Sequence, residues 1–123
     1  MTIAKQLKIK EFPFEIKDSN GNQIYWEKSN EYWVKREYDS EGKEIYYEDS
    51  DGYWVKYKWD SDGNRIYLEN SEGFWSKREY DSKSNLIYWE NSDGTITDNR
   101  PKTDVEKALE LLEKEGYQIF KYI

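Results

Sequence analysis

A period of 21 residues, kept without insertion through three successive units, constrains this chain more than any other feature. The units run from Ile24 to Glu44, Ile45 to Arg65 and Ile66 to Leu86. Ile recurs at 24, 45, 66 and 87, Tyr at 25, 46, 67 and 88, and Glu at 27, 48, 69 and 90. Trp recurs at 33, 54 and 75, and Lys at 35, 56 and 77. A leading half-unit, Asp18-Ser19-Asn20-Gly21-Asn22-Gln23, aligns with Asp39-Ser40-Glu41-Gly42-Lys43-Glu44, and a trailing one decays after Gly94. Such self-similarity is the mark of one supersecondary unit stacked on copies of itself.

The unit is a β-hairpin. Ile45-Tyr46-Tyr47-Glu48 and Tyr53-Trp54-Val55-Lys56-Tyr57-Lys58-Trp59 are rich in aromatic and β-branched residues, and Ser50-Asp51-Gly52 separates them. The next break, Asp60-Ser61-Asp62-Gly63-Asn64, supplies an Asp able to close an Asx turn and a Gly able to take positive φ. The expected fold is therefore mainly β, an antiparallel meander of tandem hairpins. Period-2 alternation places Ile24, Trp26, Tyr32, Val34 and Tyr38 on one face, expected to be buried. Tyr25, Glu27, Trp33, Lys35 and Glu37 fall on the other, expected to be solvated and to carry Glu27–Lys35 cross-strand ion pairs, repeated in each unit. A one-residue bulge would exchange these faces.

The ends differ from the repeat. Leu7-Lys8-Ile9-Lys10-Glu11-Phe12 alternates like an opening strand within residues 1–17. The hairpin repeats occupy 18–98. Thr103-Asp104-Val105-Glu106 is a capping-box pattern, and Val105, Ala108, Leu109 and Leu112 follow at helical spacing, so residues 103–116 read as one C-terminal α-helix from about 104 to 115 with Gly116 at C′. Residues 117–123 read as a short final strand. Because a bare sheet leaves a face wet, the Leu stripe of this helix is expected to pack on the apolar side of the meander. All 123 residues are assigned to a single domain.

A charged fraction of 37% and a net charge of −7 would suit a disordered chain, but six Trp, twelve Tyr and four Phe bury about 150–250 Å² each and can support a thin, layered fold. Residues 18–94 hold eighteen acidic and ten basic side chains, so the acidity belongs to the repeat. Without Cys there is no disulfide, thiolate nucleophile or zinc ribbon, and without His the usual triads and most transition-metal sites are excluded. No apolar run approaches the ~20 residues of a membrane span. The opening Met1-Thr2-Ile3-Ala4-Lys5 has no apolar signal core, which predicts a cytoplasmic protein of a bacterial host.

The string Lys35-Arg36-Glu37-Tyr38-Asp39-Ser40-Glu41-Gly42-Lys43-Glu44-Ile45, with its echoes at Trp59 to Ile66 and Tyr80 to Ile87, resembles the YD repeat of Rhs-type proteins. The resemblance spans Asp18 to about Gly94 and implies a β-hairpin per repeat. Three or four units are too few for the encapsulating shell of that family, and Ser84 stands where its Gly is expected, so only the hairpin is carried over. More loosely, the small size, acidity and aromatic tandem repeats resemble accessory proteins of phages, including anti-CRISPR proteins.

Candidate sites follow from the repeat. Asp60-Ser61-Asp62-Gly63-Asn64 resembles half of a calcium loop but lacks EF-hand spacing, and reads as a hairpin turn. Paired carboxylates such as Glu48 and Asp49 recur in near-identical settings, whereas an active site needs one asymmetric constellation; no enzyme activity, catalytic residue, metal or cofactor is expected. The regularly spaced Trp33, Trp54 and Trp75, with Tyr25, Tyr46 and Tyr67 and with Glu27, Glu48 and Glu69, form the candidate binding set. An acidic repeat disfavours direct nucleic-acid binding and favours a basic protein surface. The expected function is a non-enzymatic binding protein, of the phage type that inhibits a host nucleic-acid-binding defence protein. The alternatives are a structural repeat module that self-associates, and a carbohydrate binder using the Trp ladder.

Overall fold

A computed structural model describes residues 2–118. Nine strands follow one another in a single antiparallel meander: β1 (Phe14–Lys17), β2 (Gln23–Glu27), β3 (Trp33–Tyr38), β4 (Glu44–Asp49), β5 (Trp54–Trp59), β6 (Arg65–Asn70), β7 (Trp75–Tyr80), β8 (Leu86–Asn91) and β9 (Ile96–Asp98). Spatial order is sequence order throughout. A short helix, α1 (Ile3–Leu7), precedes the sheet and α2 (Asp104–Lys114) follows it.

The odd length of the unit is absorbed by a bulge. Glu37 lies opposite Tyr46 while Tyr38 lies opposite Glu44, which leaves Ile45 without a partner. The same shift isolates Ile24, Ile66 and Ile87. The recurring isoleucine is thus the extra residue of a β-bulge, and it restores the side-chain phase that an odd repeat would invert. Ile24 and Ile45 accordingly line a groove with Tyr25, Lys35 and Glu37, which corrects the assignment of Ile24 to the face of Trp26 and Val34.

Turns close on their aspartates. Oδ1 of Asp60 accepts the Asp62 N–H at 2.9 Å and the Asn64 N–H at 2.8 Å, and Asp18, Asp39 and Asp81 repeat this pair of bonds. Gly63 takes φ 86°, as the hairpin requires. Glu31 and Ser84 occupy the equivalent left-handed position with φ 72° and 63°, at a steric cost glycine avoids. Each unit is also tied to the hairpin before it by a serine: Ser50, Ser71 and Ser92 accept the N–H of Trp33, Trp54 and Trp75 on Oγ, each at 3.1 Å.

The expected burial of one whole face does not occur. Among the described residues the buried apolar side chains are Ala4, Tyr25, Val34 and Val55, so the sheet is a single layer. Its interior contacts lie between neighbouring strands. Lys35, Lys56 and Lys77 lay their ammonium groups over Trp33, Trp54 and Trp75 at 4.8, 5.1 and 5.1 Å from the ring centroids, and their alkyl stems cover apolar surface that a second layer would otherwise dry. On the Val34 face, Asp49 accepts the hydroxyls of Tyr32 (3.3 Å) and Tyr47 (3.1 Å) and the N–H groups of Asp51 and Tyr53. Asn70 and Asn91 stand at the same position in later units, where Leu68 and Trp89 replace Tyr47. The carboxylate occurs where two phenols donate to it.

Both ends depart from expectation. Thr2 caps α1 by accepting the Lys5 N–H, Lys8 ends it in the left-handed region, and the first strand begins only at Phe14, after the cis Phe12–Pro13 bond. The alternation of residues 7–12 was too short to outweigh that cap. α2 has the expected capping box, Thr103 with Glu106, and Gly116 at φ 93° just past its end. It does not cover the sheet: none of its residues is buried, and Val105, Leu111 and Leu112 remain 68%, 58% and 40% exposed. On the Val34 face, where the helix was expected, rings and guanidinium groups cover one another instead: Trp26 meets Tyr32 edge-on, Tyr47 meets Tyr53 likewise, and Arg36 and Arg65 lie over Tyr47 and Tyr57. The final strand expected over 117–123 falls largely outside the described residues.

Candidate functional site

The candidate residues share one face. Cross-strand rows run Ile16, Tyr25, Lys35, Glu48, Trp54, and Glu37, Tyr46, Lys56, Glu69, Trp75. A third contains Lys58, Tyr67, Lys77 and Glu90. Glu27 lies opposite Trp33, so the expected Glu27–Lys35 pair is not formed; Lys35 faces Tyr25 on one side and Glu48 on the other. The cause is register, which offsets glutamate and lysine by two residues and leaves the lysine nearest the Trp of its own strand.

Within each unit Tyr and Glu, two apart and on one side of the strand, form a local pair. Tyr25 donates its hydroxyl to Glu27 Oε1 at 2.7 Å, Tyr67 to Glu69 Oε2 at 3.4 Å and Tyr88 to Glu90 Oε2 at 2.9 Å. Tyr46 stands beside Glu48 in the same way. The carboxylates impede ionisation of the phenols. Burial first, then the hydrogen bond and charge of Glu27, push Tyr25 up to about 12. Tyr46 is raised by burial and then by Glu48 and, more weakly, Glu37.

The copies differ in what covers them. At the first, α1 lies on the sheet: Glu27 accepts the Ala4 N–H at 3.1 Å, Ala4 is 2% exposed, and Lys5 pairs with Glu31. Tyr25 and Glu27 are 4% and 1% exposed, so these two candidates are buried rather than solvated. Tyr25 also stacks on Trp33, with ring planes 23° apart. At the fourth copy Arg100 lies over Tyr88, its guanidinium carbon 4.2 Å from the ring centroid, and donates to Glu79 at 3.3 Å. Asp98 holds the same guanidinium through Oδ1 and Oδ2 at 2.9 and 2.7 Å, and is itself lowered to about 2 chiefly by that bond.

The two inner copies, Tyr46 with Glu48 and Trp54 and Tyr67 with Glu69 and Trp75, are half-buried side to side, and no other segment of the described chain lies on them. Between them is a groove of about 800 Å³ lined in part by Glu37, Ile45, Tyr46, Lys58, Tyr67 and Glu69. Trp33, Trp54 and Trp75 lie two strands apart and do not touch one another, so each ring belongs to its own unit's site.

Ala4, Glu37, Glu79, Tyr88 and Arg100 complete this picture and were not singled out from the sequence. Tyr88 follows the period and could have been found from it, whereas Glu37 and Glu79 occupy a position that is Ile16 and Lys58 in the other copies. Ala4 and Arg100 lie outside the repeat, where periodicity gives no signal. Among the described residues no cluster of carboxylates is arranged to hold a metal ion, and Asp60, in the calcium-like string, is engaged by its own turn. No helix among the described residues is long and apolar enough to cross a membrane.

No model of a known protein family matches this chain, and no curated protein matches it in sequence.

Proposed function

We propose that this chain is a non-enzymatic binding protein that presents the Tyr–Glu–Trp face of its open sheet to a basic protein surface. The observation that carries the reading is the occupancy of the outer copies: Glu27 receives a backbone N–H and Tyr88 with Glu79 receives a guanidinium, while at the second copy Tyr46 and Glu37 hold no such group among the described residues. The face takes donors and cations, which are the groups a basic surface offers. The excess of acidic side chains in the repeat, concentrated in its turns, adds long-range attraction for the same class of partner. In its finer form, the partner is a host nucleic-acid-binding protein whose nucleic-acid site this chain occupies, with carboxylates in place of phosphates and rings in place of bases.

The test is affinity capture from bacterial lysate on two baits, the native chain and a Glu48→Lys/Glu69→Lys double variant, with and without nuclease and at low and high salt. The expected result is one basic protein held by the native bait after nuclease treatment, released by salt and lost from the double variant. Recovery of the same proteins on both baits would refute the role of this face. Recovery of the bait alone as a multimer would point to a structural module.

A further inference from the structure

The repeat supplies its own comparison, because the fourth copy holds a ligand group that the second copy lacks. Glu79, Tyr88 and Glu90 lie 42 residues beyond Glu37, Tyr46 and Glu48, two whole units away. The register is the same: Glu79 pairs across the strands with Tyr88, and Glu37 with Tyr46. At Tyr88 the space above the ring, beside the carboxylate, is filled by the Arg100 guanidinium. At Tyr46 no cation of the described residues lies over the ring, and Glu37 is exposed at the edge of the groove.

The remaining copies are not equivalent. Lys58 takes the place of Glu37 opposite Tyr67 and lays its own ammonium over that ring, 5.6 Å from the centroid. Ile16 takes the place opposite Tyr25, and α1 covers that copy. Among the four tyrosines, Tyr46 alone has the carboxylate partner of Tyr88 and a ring face that no described residue covers with a cation.

We propose that Tyr46, with Glu37 across the strands and Glu48 beside it, is the receptor for an arginine side chain of the binding partner; the proposal rests on the binding reading above and names the group it recognises. A planar guanidinium stacks on a phenol ring while its edge donates to a carboxylate, as Arg100 does, and an ammonium cannot do both in that plane. One flank differs. Asp98 stands opposite Tyr88, whereas Lys56 stands opposite Tyr46 with its ammonium held over Trp54. The inner site therefore lacks the clamp that fixes Arg100, which makes it the weaker and exchangeable copy, as suits an arginine arriving from another molecule.

The experiment is an NMR titration of the full chain with blocked tri-arginine peptide and, separately, blocked tri-lysine peptide. The readouts are the ring signals of Tyr46 and Tyr67 and the amide of Glu37. Tri-arginine is expected to shift Tyr46 and Glu37 and to bind about fivefold more tightly than tri-lysine, with Glu37→Gln abolishing most of that preference. Lys58→Glu, which gives the third copy the Glu37 arrangement, is expected to add an arginine-dependent response at Tyr67. Equal response to the two peptides, a Tyr46 response indifferent to Glu37→Gln, or silence at Tyr67 in the folded Lys58→Glu variant would each overturn the proposal. The two readings fail separately. Tri-arginine binding at Tyr46 with no captured protein would leave the receptor standing without a partner, and a basic protein captured equally well by a Glu37→Gln bait would leave the partner standing without this receptor.

Discussion

The outer and inner copies of the repeat share one Tyr–Glu pair, and what covers that pair differs. Tyr25 and Glu27 are sealed beneath α1, whereas Tyr46 and Glu48, 21 residues on, share their edges with neighbours and have no other segment of the described residues above them. One Tyr–Glu pair thus serves as an internal joint at the end of the sheet and as an open receptor in its middle. What a motif does here is decided by what lies over it.

The comparison is broken most directly at the glutamates. Glu27→Ala strands the Ala4 N–H and the Tyr25 hydroxyl in a buried site and is expected to destabilise the fold by about 2–3 kcal/mol, whereas Glu48→Ala should change it by less than about 0.5 kcal/mol. Urea unfolding followed by Trp fluorescence reads both. Equal midpoints would show that α1 contributes nothing by its contact with the sheet.

A smaller effect of opposite sign is expected at the turns. Glu31 in the β2–β3 turn and Ser84 in the β7–β8 turn hold left-handed backbone that glycine holds in the other six turns. Ser84→Gly should stabilise the chain by about 0.5–1 kcal/mol. Glu31→Gly should gain less, because Glu31 also pairs with Lys5 over the docked helix. A larger gain at Glu31 than at Ser84 would mean that this ion pair is idle.

The smallest effects are in titration. Tyr25 is raised from the ordinary 10 to about 12, so its contribution to stability is complete below pH 10 and is lost as the pH rises through about 12. Burial and the bonds to Tyr32 and Asp49 raise Tyr47 as well, so absorbance titration should show two strongly delayed phenols, and Tyr25→Phe should remove the one at about 12 and leave the other. At the other extreme, the turn aspartates Asp18, Asp60 and Asp81 are lowered below 3.8 chiefly by the N–H groups they accept. Their contribution is present above that value and falls away as the pH drops through the lowered values. A melting temperature that holds flat through this acid window would contradict the turn geometry.

The features legible in the sequence are those set by neighbours along the chain. The hairpin, the Asp–Gly turns and the capped helix at 104–114 all follow from contacts within a few residues, and the period repeats the turn signal until it is unambiguous. The bulge was encoded in the odd length of the unit, yet the side on which Ile24 falls depends on which residue goes unpaired, and that is fixed only across strands. Neither the docking of Ala4 on Glu27 nor that of Arg100 on Tyr88 leaves a periodic trace, since each joins a segment outside the repeat to one within it. The expectation that α2 would cover the sheet counted apolar residues and omitted Arg36 and Arg65, which lie over Tyr47 and Tyr57 on the face the helix was to cover.

The unpaired isoleucine in each unit also makes length a heritable variable. A gain or loss of 21 residues leaves every downstream side chain on its original face, lengthens or shortens the strip by two strand spacings, about 10 Å, and adds or removes one Tyr–Glu pair between unchanged ends. A change of 20 or 22 residues keeps that phase only with a further bulge or a turn of different length. A gene encoding this chain can therefore change the reach and valency of its product by unequal recombination between repeats, in steps of one whole cassette.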